Sequence, residues 1–128
     1  MIEFERQTTV LVAEDEPPML GLLEKVLKQH DFRVLVASDG EQAIDVYRSN
    51  SQEIDVVLLD MGLPKIGGLD VLLDMKAQNP DVRVVMVSGF FEPTLKSNLS
   101  KAGIKHFLAK PYSLNEVVET LRDSLKEH

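Results

Sequence analysis

Short apolar segments of the sequence are followed by five polar side chains: Glu14, Asp15, Asp60, Ser88 and Lys110. Carboxylates held close together repel each other and raise each other's pKa values unless a cation neutralises them. Magnesium suits this role, because it takes one or two carboxylates and keeps its other positions for water and phosphate. Asp60 could then attack phosphorus as a nucleophile, while Lys110 and Ser88 bind the phosphoryl oxygens. The five residues therefore predict a magnesium-dependent phosphoacceptor site.

Each of these residues also has a purely structural interpretation. An Asp after a strand is often a helix N-cap, a Lys at a strand end is usually solvated, and a single Ser is often a turn residue. Their joint occurrence at the ends of several predicted strands favours a functional site over a chance arrangement.

The strands that would position these residues are short and rich in β-branched residues. Such segments lie at 8–13, 32–37, 54–59, 82–87 and 105–108. Most of them are nearly continuous in apolar residues, as expected for strands buried on both faces of a parallel sheet.

Helical patterns separate the strands, with apolar side chains recurring three and four residues apart. These sets are Met19, Leu22, Leu23, Val26 and Leu27; Ala43, Ile44 and Tyr47; Leu69, Leu72 and Leu73; Leu95, Leu99 and Ala102; and Leu114, Val117, Val118, Leu121 and Leu125. Asp39-Gly40 is predicted to open the second helix, Ser113 to cap the fifth, and residues 79–81 to end the third. The alternation predicts a parallel α/β sheet with helices on both faces. Ligands of such sheets bind outside the carboxyl ends of the strands, where the polar residues fall.

The composition excludes several classes of function. The 128 residues are 44% hydrophobic with a net charge of −7, so we expect one globular domain and no direct nucleic-acid partner. No apolar stretch reaches the roughly 20 residues of a membrane helix, and the start lacks signal-peptide features. Because there is no Cys, we expect a cytoplasmic protein without disulfides. Zinc is not expected either, because the His residues are far from the site in sequence: His30, His106 and His128.

The motifs at the strand ends resemble those of response-regulator receiver domains, the CheY-like family of two-component signalling. The resemblance is carried by VLVAEDE at 10–16, LLDMGLP at 58–64, Gly68, VSG at 87–89 and FLAKP at 107–111. It covers about residues 8–125 and implies a single receiver domain over 1–128, with a polar extension at 1–7 and no output domain. The implied fold is a flavodoxin-like, doubly wound (βα)5 sheet with strand order 2-1-3-4-5.

The resemblance also implies a role for each acidic residue. Asp60 would be the phosphoacceptor, and Asp15 and Asp60 would ligate Mg²⁺ directly. The backbone carbonyl of Gly62 would be the third protein ligand, and Glu14 would act through water. Glu14 stands where Asp is commoner in the family, but it keeps a carboxylate.

Further roles follow for the conformational switch. Ser88 would shift toward the phosphoryl group, and Phe107 would swing into the space that Ser88 vacates. The Lys110–Pro111 peptide bond is expected to be cis.

Two positions are expected to tune the lifetime of the aspartyl-phosphate. Gly62 leaves the acceptor open to water, whereas Phe90 could shield it, so the net direction stays open. Phe90 and Phe91 are equally compatible with contacting a partner and with packing under their loop.

The implied partners are a histidine kinase or phosphotransfer protein and a downstream effector or fused output domain. The responding surface would comprise the fourth helix, fifth strand and fifth helix, which is also a candidate surface for a homodimer. A stand-alone regulator and the receiver part of a hybrid histidine kinase both stay open. The resemblance implies a signalling switch that catalyses only its own phosphorylation and dephosphorylation, rather than an enzyme.

Three alternatives use similar folds or residues. A haloacid-dehalogenase-like phosphatase needs its nucleophilic Asp after the first strand and a second Asp two residues later, whereas position 62 here is Gly. A flavodoxin-like electron carrier needs a Ser/Thr/Gly-rich phosphate loop after the first strand, where this sequence has the acidic run 14–16. A pseudo-receiver would keep the fold without phosphorylation, and the presence of every site residue disfavours it.

Overall fold

Strands and helices alternate along the whole of residues 6–127, which the computed structural model describes. The strands are β1 (Thr9–Ala13), β2 (Arg33–Ala37), β3 (Val56–Asp60), β4 (Val84–Ser88) and β5 (His106–Ala109). The helices are α1 (Pro17–Gln29), α2 (Gly40–Asn50), α3 (Gly68–Gln78), α4 (Pro93–Lys101) and α5 (Leu114–Leu125). The predicted alternation is confirmed. Of the predicted extension at 1–7, residues 1–5 lie outside the described residues, as does His128.

The strands are parallel and form one sheet in the order β2-β1-β3-β4-β5, which confirms the predicted fold. Asp60 lies beside Val87 in the register, and Ser88 lies beside Ala109. β3 and β4 each end one residue later than predicted, so that Asp60 and Ser88 are the last residues of their strands. The sheet therefore holds both residues at its carboxyl edge through backbone hydrogen bonds.

Apolar cores cover both faces of the sheet. Helices α2, α3 and α4 pack on one face, and α1 and α5 pack on the other. β1 and β3 are buried at every position, in line with their continuous apolar runs. The predicted helix starts at Asp39 and Ser113 are confirmed, because each side chain accepts a backbone hydrogen bond from the first turn. Within residues 6–127, no helix is both long enough and apolar enough to cross a bilayer.

The predicted apolar face of α3 is confirmed at Leu72 and wrong at Leu69 and Leu73. Leu69 and Leu73 are 39% and 53% exposed, and the buried face consists of Val71, Leu72 and Met75. Apolar residues cover a wide arc of this helix, so two overlapping faces fit the helical spacing equally well. The surface of the neighbouring sheet decides between them. A smaller error of the same kind concerns α1, where Leu22 is 43% exposed.

Candidate functional site

Three carboxylates meet at the carboxyl edge of the sheet. Glu14 and Asp15 follow β1, and Asp60 ends β3, the strand beside it. One carboxylate oxygen from each residue lies within 4.8 Å of the others. Glu14 and Asp60 are only 3% and 5% exposed, whereas Asp15 is open to solvent. The fold thus brings together the three acidic residues that the sequence singled out.

Lys110 completes the site from the end of β5. Its ammonium donates a hydrogen bond of 2.6 Å to Asp60 Oδ2 and lies 3.9 Å from Glu14 Oε1. The Lys110 backbone N–H donates to the Ser88 carbonyl at 2.9 Å, and the Lys110–Pro111 peptide bond is cis. The hydrogen bond between the Lys110 ammonium and the Asp60 carboxylate is charge-assisted, and such bonds are roughly twice as strong as neutral hydrogen bonds. Lys110 therefore anchors one oxygen of the Asp60 carboxylate.

The electrostatics of the site are those of an acidic cluster with too little positive charge. The pKa of the Glu14 carboxyl is raised, mainly by burial and further by the charge of Asp60. The hydrogen bond from the Glu16 N–H and the charge of Lys110 lower this pKa but do not cancel the increase. Burial by itself lowers the pKa of the Lys110 ammonium, but the hydrogen bond and charge of Asp60 raise it above its usual value. Lys110 thus stays charged, and its one positive charge does not balance three carboxylates.

A hard divalent cation fits these residues. The cluster offers only carboxylate oxygens, the donors that magnesium prefers over the nitrogen and sulfur ligands of zinc. Glu14, Asp15 and Asp60 would hold such an ion, and the action of Glu14 through water stays a prediction. The predicted contribution of the Gly62 carbonyl stays a prediction.

The loop after Asp60 fixes the second oxygen of its carboxylate. The Gly62 N–H donates to Asp60 Oδ1 at 2.8 Å, opposite the oxygen that Lys110 binds. α3 begins only at Gly68, with Gly67 as its N-cap, so Asp60 does not serve as a helix cap. A Cβ atom at Gly68 would lie 2.7 Å from the Asp60 carbonyl oxygen and 2.7 Å from Met61 Cα. Glycine therefore allows the start of α3 to pack directly against the acceptor.

Ser88 lies at the same edge but is turned toward its own loop. Its hydroxyl donates to the Phe90 carbonyl at 2.9 Å and accepts from the Phe90 N–H at 3.3 Å. Among residues 6–127, the hydrogen bonds of the Ser88 side chain are confined to this loop, so the structure does not join it to Asp60 or Lys110. To reach a phosphoryl group on Asp60, the hydroxyl would have to leave Phe90.

Comparison with known proteins decides the family. The family model described as the response regulator receiver domain matches residues 10–122. The chain belongs to this family.

Relatives of this receiver domain include both short and long proteins. It is 29% identical to chemotaxis protein CheY of Listeria monocytogenes over 118 residues, which cover 91% of this chain and 98% of that protein. It is 34% identical to the probable transcriptional regulatory protein TcrX of Mycobacterium tuberculosis over 120 residues, covering 92% of this chain. This receiver domain spans 50% of TcrX and 13% of a related sensor kinase.

Solved structures agree with the fold of this receiver domain. A CheX–CheY–BeF3–Mg²⁺ complex from Borrelia burgdorferi contains a chain with a TM-score of 0.85 and 26% identity, covering 91% of this chain and 87% of that one. The matched chain thus has the same fold, and the complex that contains it includes BeF3 and Mg²⁺.

The aromatic side chains of the receiver domain divide into a packed pair and an exposed ring. Phe107 on β5 is half-buried and meets Phe91 edge to face, with ring centroids 5.3 Å apart. Lys96 of α4 places its ammonium 5.2 Å from the Phe107 centroid, a favourable cation–π geometry. Phe91 thus packs within the domain, whereas Phe90 is 72% exposed, and its contact with a partner stays a prediction. Lys96 has no distinguishing pattern in the sequence and was not predicted.

The sequence did not predict that Gly40 and Lys65 of this receiver domain belong to the site. Gly40 contacts the loop after Asp60, where its amide donates to the Pro64 carbonyl at 3.0 Å. Lys65 of that loop reaches back to Asp39 at the start of α2. Asp39-Gly40 was predicted only as a helix start, and the distance along the chain gives no signal that it meets the acceptor loop.

Proposed function

We propose that this receiver domain accepts a phosphoryl group from the phospho-His of a histidine kinase or phosphotransfer protein onto Asp60. The reaction depends on Mg²⁺, and the phosphorylated domain acts on an effector or a fused output domain. The domain catalyses its own phosphorylation and dephosphorylation and otherwise serves as a signalling switch.

The observation that carries the proposal is the environment of the Asp60 carboxylate. One oxygen is held by Lys110 at 2.6 Å and the other by the Gly62 N–H at 2.8 Å, beside the carboxylates of Glu14 and Asp15. A structural ion pair would not need two additional carboxylates in contact with it, since these only add repulsion. Phosphoryl transfer needs this combination of a fixed oxygen nucleophile, a positive charge and a cation site.

Transfer forms a bond between a carboxylate oxygen of Asp60 and phosphorus and breaks the bond from phosphorus to the donor imidazole nitrogen. The electron pair of the broken bond stays on that nitrogen, and nothing is oxidised or reduced. Magnesium, when bound, supplies positive charge that lets two anions approach. Lys110 lies close enough to contact a transferred oxygen, and the Gly62 N–H keeps the Asp60 carboxylate oriented.

Intact-protein mass after incubation with acetyl phosphate tests the proposal. We expect a single phosphoryl adduct that requires Mg²⁺ and that Asp60→Ala abolishes. Asp55→Ala is a matched control, because Asp55 pairs with Arg6 at the start of β3, away from the carboxylate cluster. If the wild-type protein gives no adduct and does not bind beryllofluoride, the domain is a phosphorylation-independent interaction module.

The output surface of the proposed switch comprises α4, β5 and α5. Phosphorylation would draw the Ser88 hydroxyl away from the Phe90 backbone, and Phe107 would then move inward. The half-buried Phe107 ring contacts Phe91 and Lys96, and inward movement would have to break these contacts. These contacts favour the unphosphorylated arrangement, and the cation–π contact contributes about 0.5–1 kcal/mol at an exposed site.

Replacing Lys96 with Ala should therefore favour the switched state. We expect the apparent affinity for beryllofluoride with Mg²⁺ to rise about two- to fivefold, which corresponds to the loss of the cation–π contact. Titration followed by NMR measures the affinity. Lys101→Ala on the same helix is the control and should leave it unchanged. Unchanged or weaker binding by Lys96→Ala would show that Lys96 does not restrain Phe107.

A further inference from the structure

The loop that follows the phosphoacceptor rests on the first turn of α2. We define the acceptor loop as residues 61–67, between β3 and α3. The Gly40 N–H donates to the Pro64 carbonyl at 3.0 Å, and Leu63 is buried with 6% exposure. The middle of the acceptor loop is thus held from outside the carboxylate cluster.

Gly40 approaches this loop more closely than a residue with a side chain could. A Cβ atom at Gly40 would overlap the Ile66 carbonyl oxygen and would lie 2.7 Å from the Ile66 carbonyl carbon. The obstacle is backbone, which cannot rotate aside as a flexible side chain can. Any side chain at position 40 would therefore displace the acceptor loop, the start of α2, or both.

Lys65 ties the two segments together by charge. It has a φ of 69°, and its ammonium lies 3.4 Å from Asp39 Oδ2 and 3.7 Å from Glu41 Oε2. The other Asp39 oxygen, Oδ1, accepts the Gln42 N–H at 2.7 Å as the N-cap of α2. The Gln42 N–H lowers the pKa of Asp39 most, and Lys65 lowers it further. One carboxylate thus caps the helix and holds the loop.

We propose that the start of α2, its N-cap Asp39 with residues 40–41, is a positioning element that sets the place of the Gly62 backbone beside Asp60. Pro64, which Gly40 binds, is two residues from Gly62, whose N–H donates to Asp60 Oδ1. Displacing the loop therefore moves a group that contacts the phosphoacceptor. This inference rests on the proposed function. Because the Gly62 backbone carbonyl is the predicted third ligand of Mg²⁺, moving the Gly62 backbone should weaken Mg²⁺ binding.

Gly40→Ala is the direct test, and Gly21→Ala is its matched control. Gly21 lies within α1, and a Cβ atom there would have nothing within 4 Å beyond its two neighbouring residues and the backbone of its own helix. In folded Gly40→Ala we expect a shifted Gly62 amide NMR resonance without metal, and an Mg²⁺ dissociation constant raised about tenfold by calorimetry. Gly21→Ala should leave both unchanged. A folded Gly40→Ala protein with the wild-type resonance and the wild-type dissociation constant would overturn the proposal.

A charge-pair cycle gives the same answer if Gly40→Ala does not fold. Asp39→Asn keeps an N-cap acceptor for Gln42 but loses its charge for Lys65. We expect Asp39→Asn and Lys65→Met each to raise the Mg²⁺ dissociation constant about threefold, the scale of one surface ion pair. The double variant should bind Mg²⁺ no more weakly than either single variant. Lys65→Arg, which keeps the positive charge, should bind Mg²⁺ as the wild-type protein does. The proposal would be overturned if the effects of Asp39→Asn and Lys65→Met on Mg²⁺ binding were strictly additive and Lys65→Arg bound Mg²⁺ as weakly as Lys65→Met.

The two proposals can fail separately. The Gly62 amide resonance is recorded without metal or phosphodonor, so it tests the positioning element even if the wild-type protein gives no phosphoryl adduct. An adduct in wild type with an unmoved Gly62 resonance in Gly40→Ala and Lys65→Met would refute the positioning element alone.

Discussion

Replacing Lys110 with Met is expected to slow phosphorylation of Asp60 about 100-fold, the usual consequence of losing one preorganised charge at a reacting centre. The ammonium lies 2.6 Å from Asp60 Oδ2, so its loss removes the nearest positive charge of the site. The time course of the phosphoryl adduct by intact mass, at fixed acetyl phosphate and saturating Mg²⁺, measures the rate.

The same variant should bind Mg²⁺ more tightly, on the order of tenfold, because Lys110 competes with the metal for the charge of the carboxylates. This opposite sign separates loss of a catalytic group from general damage to the site. Calorimetry measures the affinity, and Lys28→Met, which breaks an exposed pair with Glu24, is the control. A normal rate, or weaker metal binding, would argue against the role of Lys110.

Gly68→Ala is expected to destabilise the fold by about 1–3 kcal/mol, the usual cost of overpacking. The added methyl would lie 2.7 Å from the Asp60 carbonyl oxygen and from Met61 Cα, so the backbone of β3 or α3 must move. Because that backbone carries the phosphoacceptor, the adduct should also form more slowly. Urea denaturation measures the change in the free energy of unfolding.

Gly21→Ala is the control for this change too. Beyond its two neighbouring residues and the backbone of α1, its methyl would meet no atom within 4 Å. It should stabilise the protein by about 0.5–1 kcal/mol, because Ala loses less backbone entropy than Gly in a helix. If Gly68→Ala unfolds at the same urea concentration as wild type, the close packing of α3 on the acceptor is not needed for stability.

The sequence predicted the sheet and the cluster because both depend on local pattern. Continuous apolar runs identify buried parallel strands, and the polar residue at the end of each run lies at the carboxyl edge of the sheet. Glu14, Asp15, Asp60 and Lys110 could therefore be placed together before their distances were known.

Features that depend on packing could not be predicted in this way. The choice between Leu73 and Met75 for the buried face of α3 depends on the neighbouring elements, since both positions fit a helical period. The orientation of the Ser88 hydroxyl depends on the Phe90 backbone, which competes with the site for its hydrogen bond. The spacing of residues along the chain predicts neither the buried face of α3 nor the orientation of the Ser88 hydroxyl.

By itself, the sequence determined which elements form, their parallel arrangement, and which acidic and basic side chains meet at the edge of the sheet. Tertiary structure alone decided that Gly40 and Lys65 hold the acceptor loop and that Lys96 covers Phe107. The physical reason is range. Strand and helix patterns repeat over a few residues, whereas these contacts join segments distant in sequence, whose proximity depends on the packing of helices against the finished sheet.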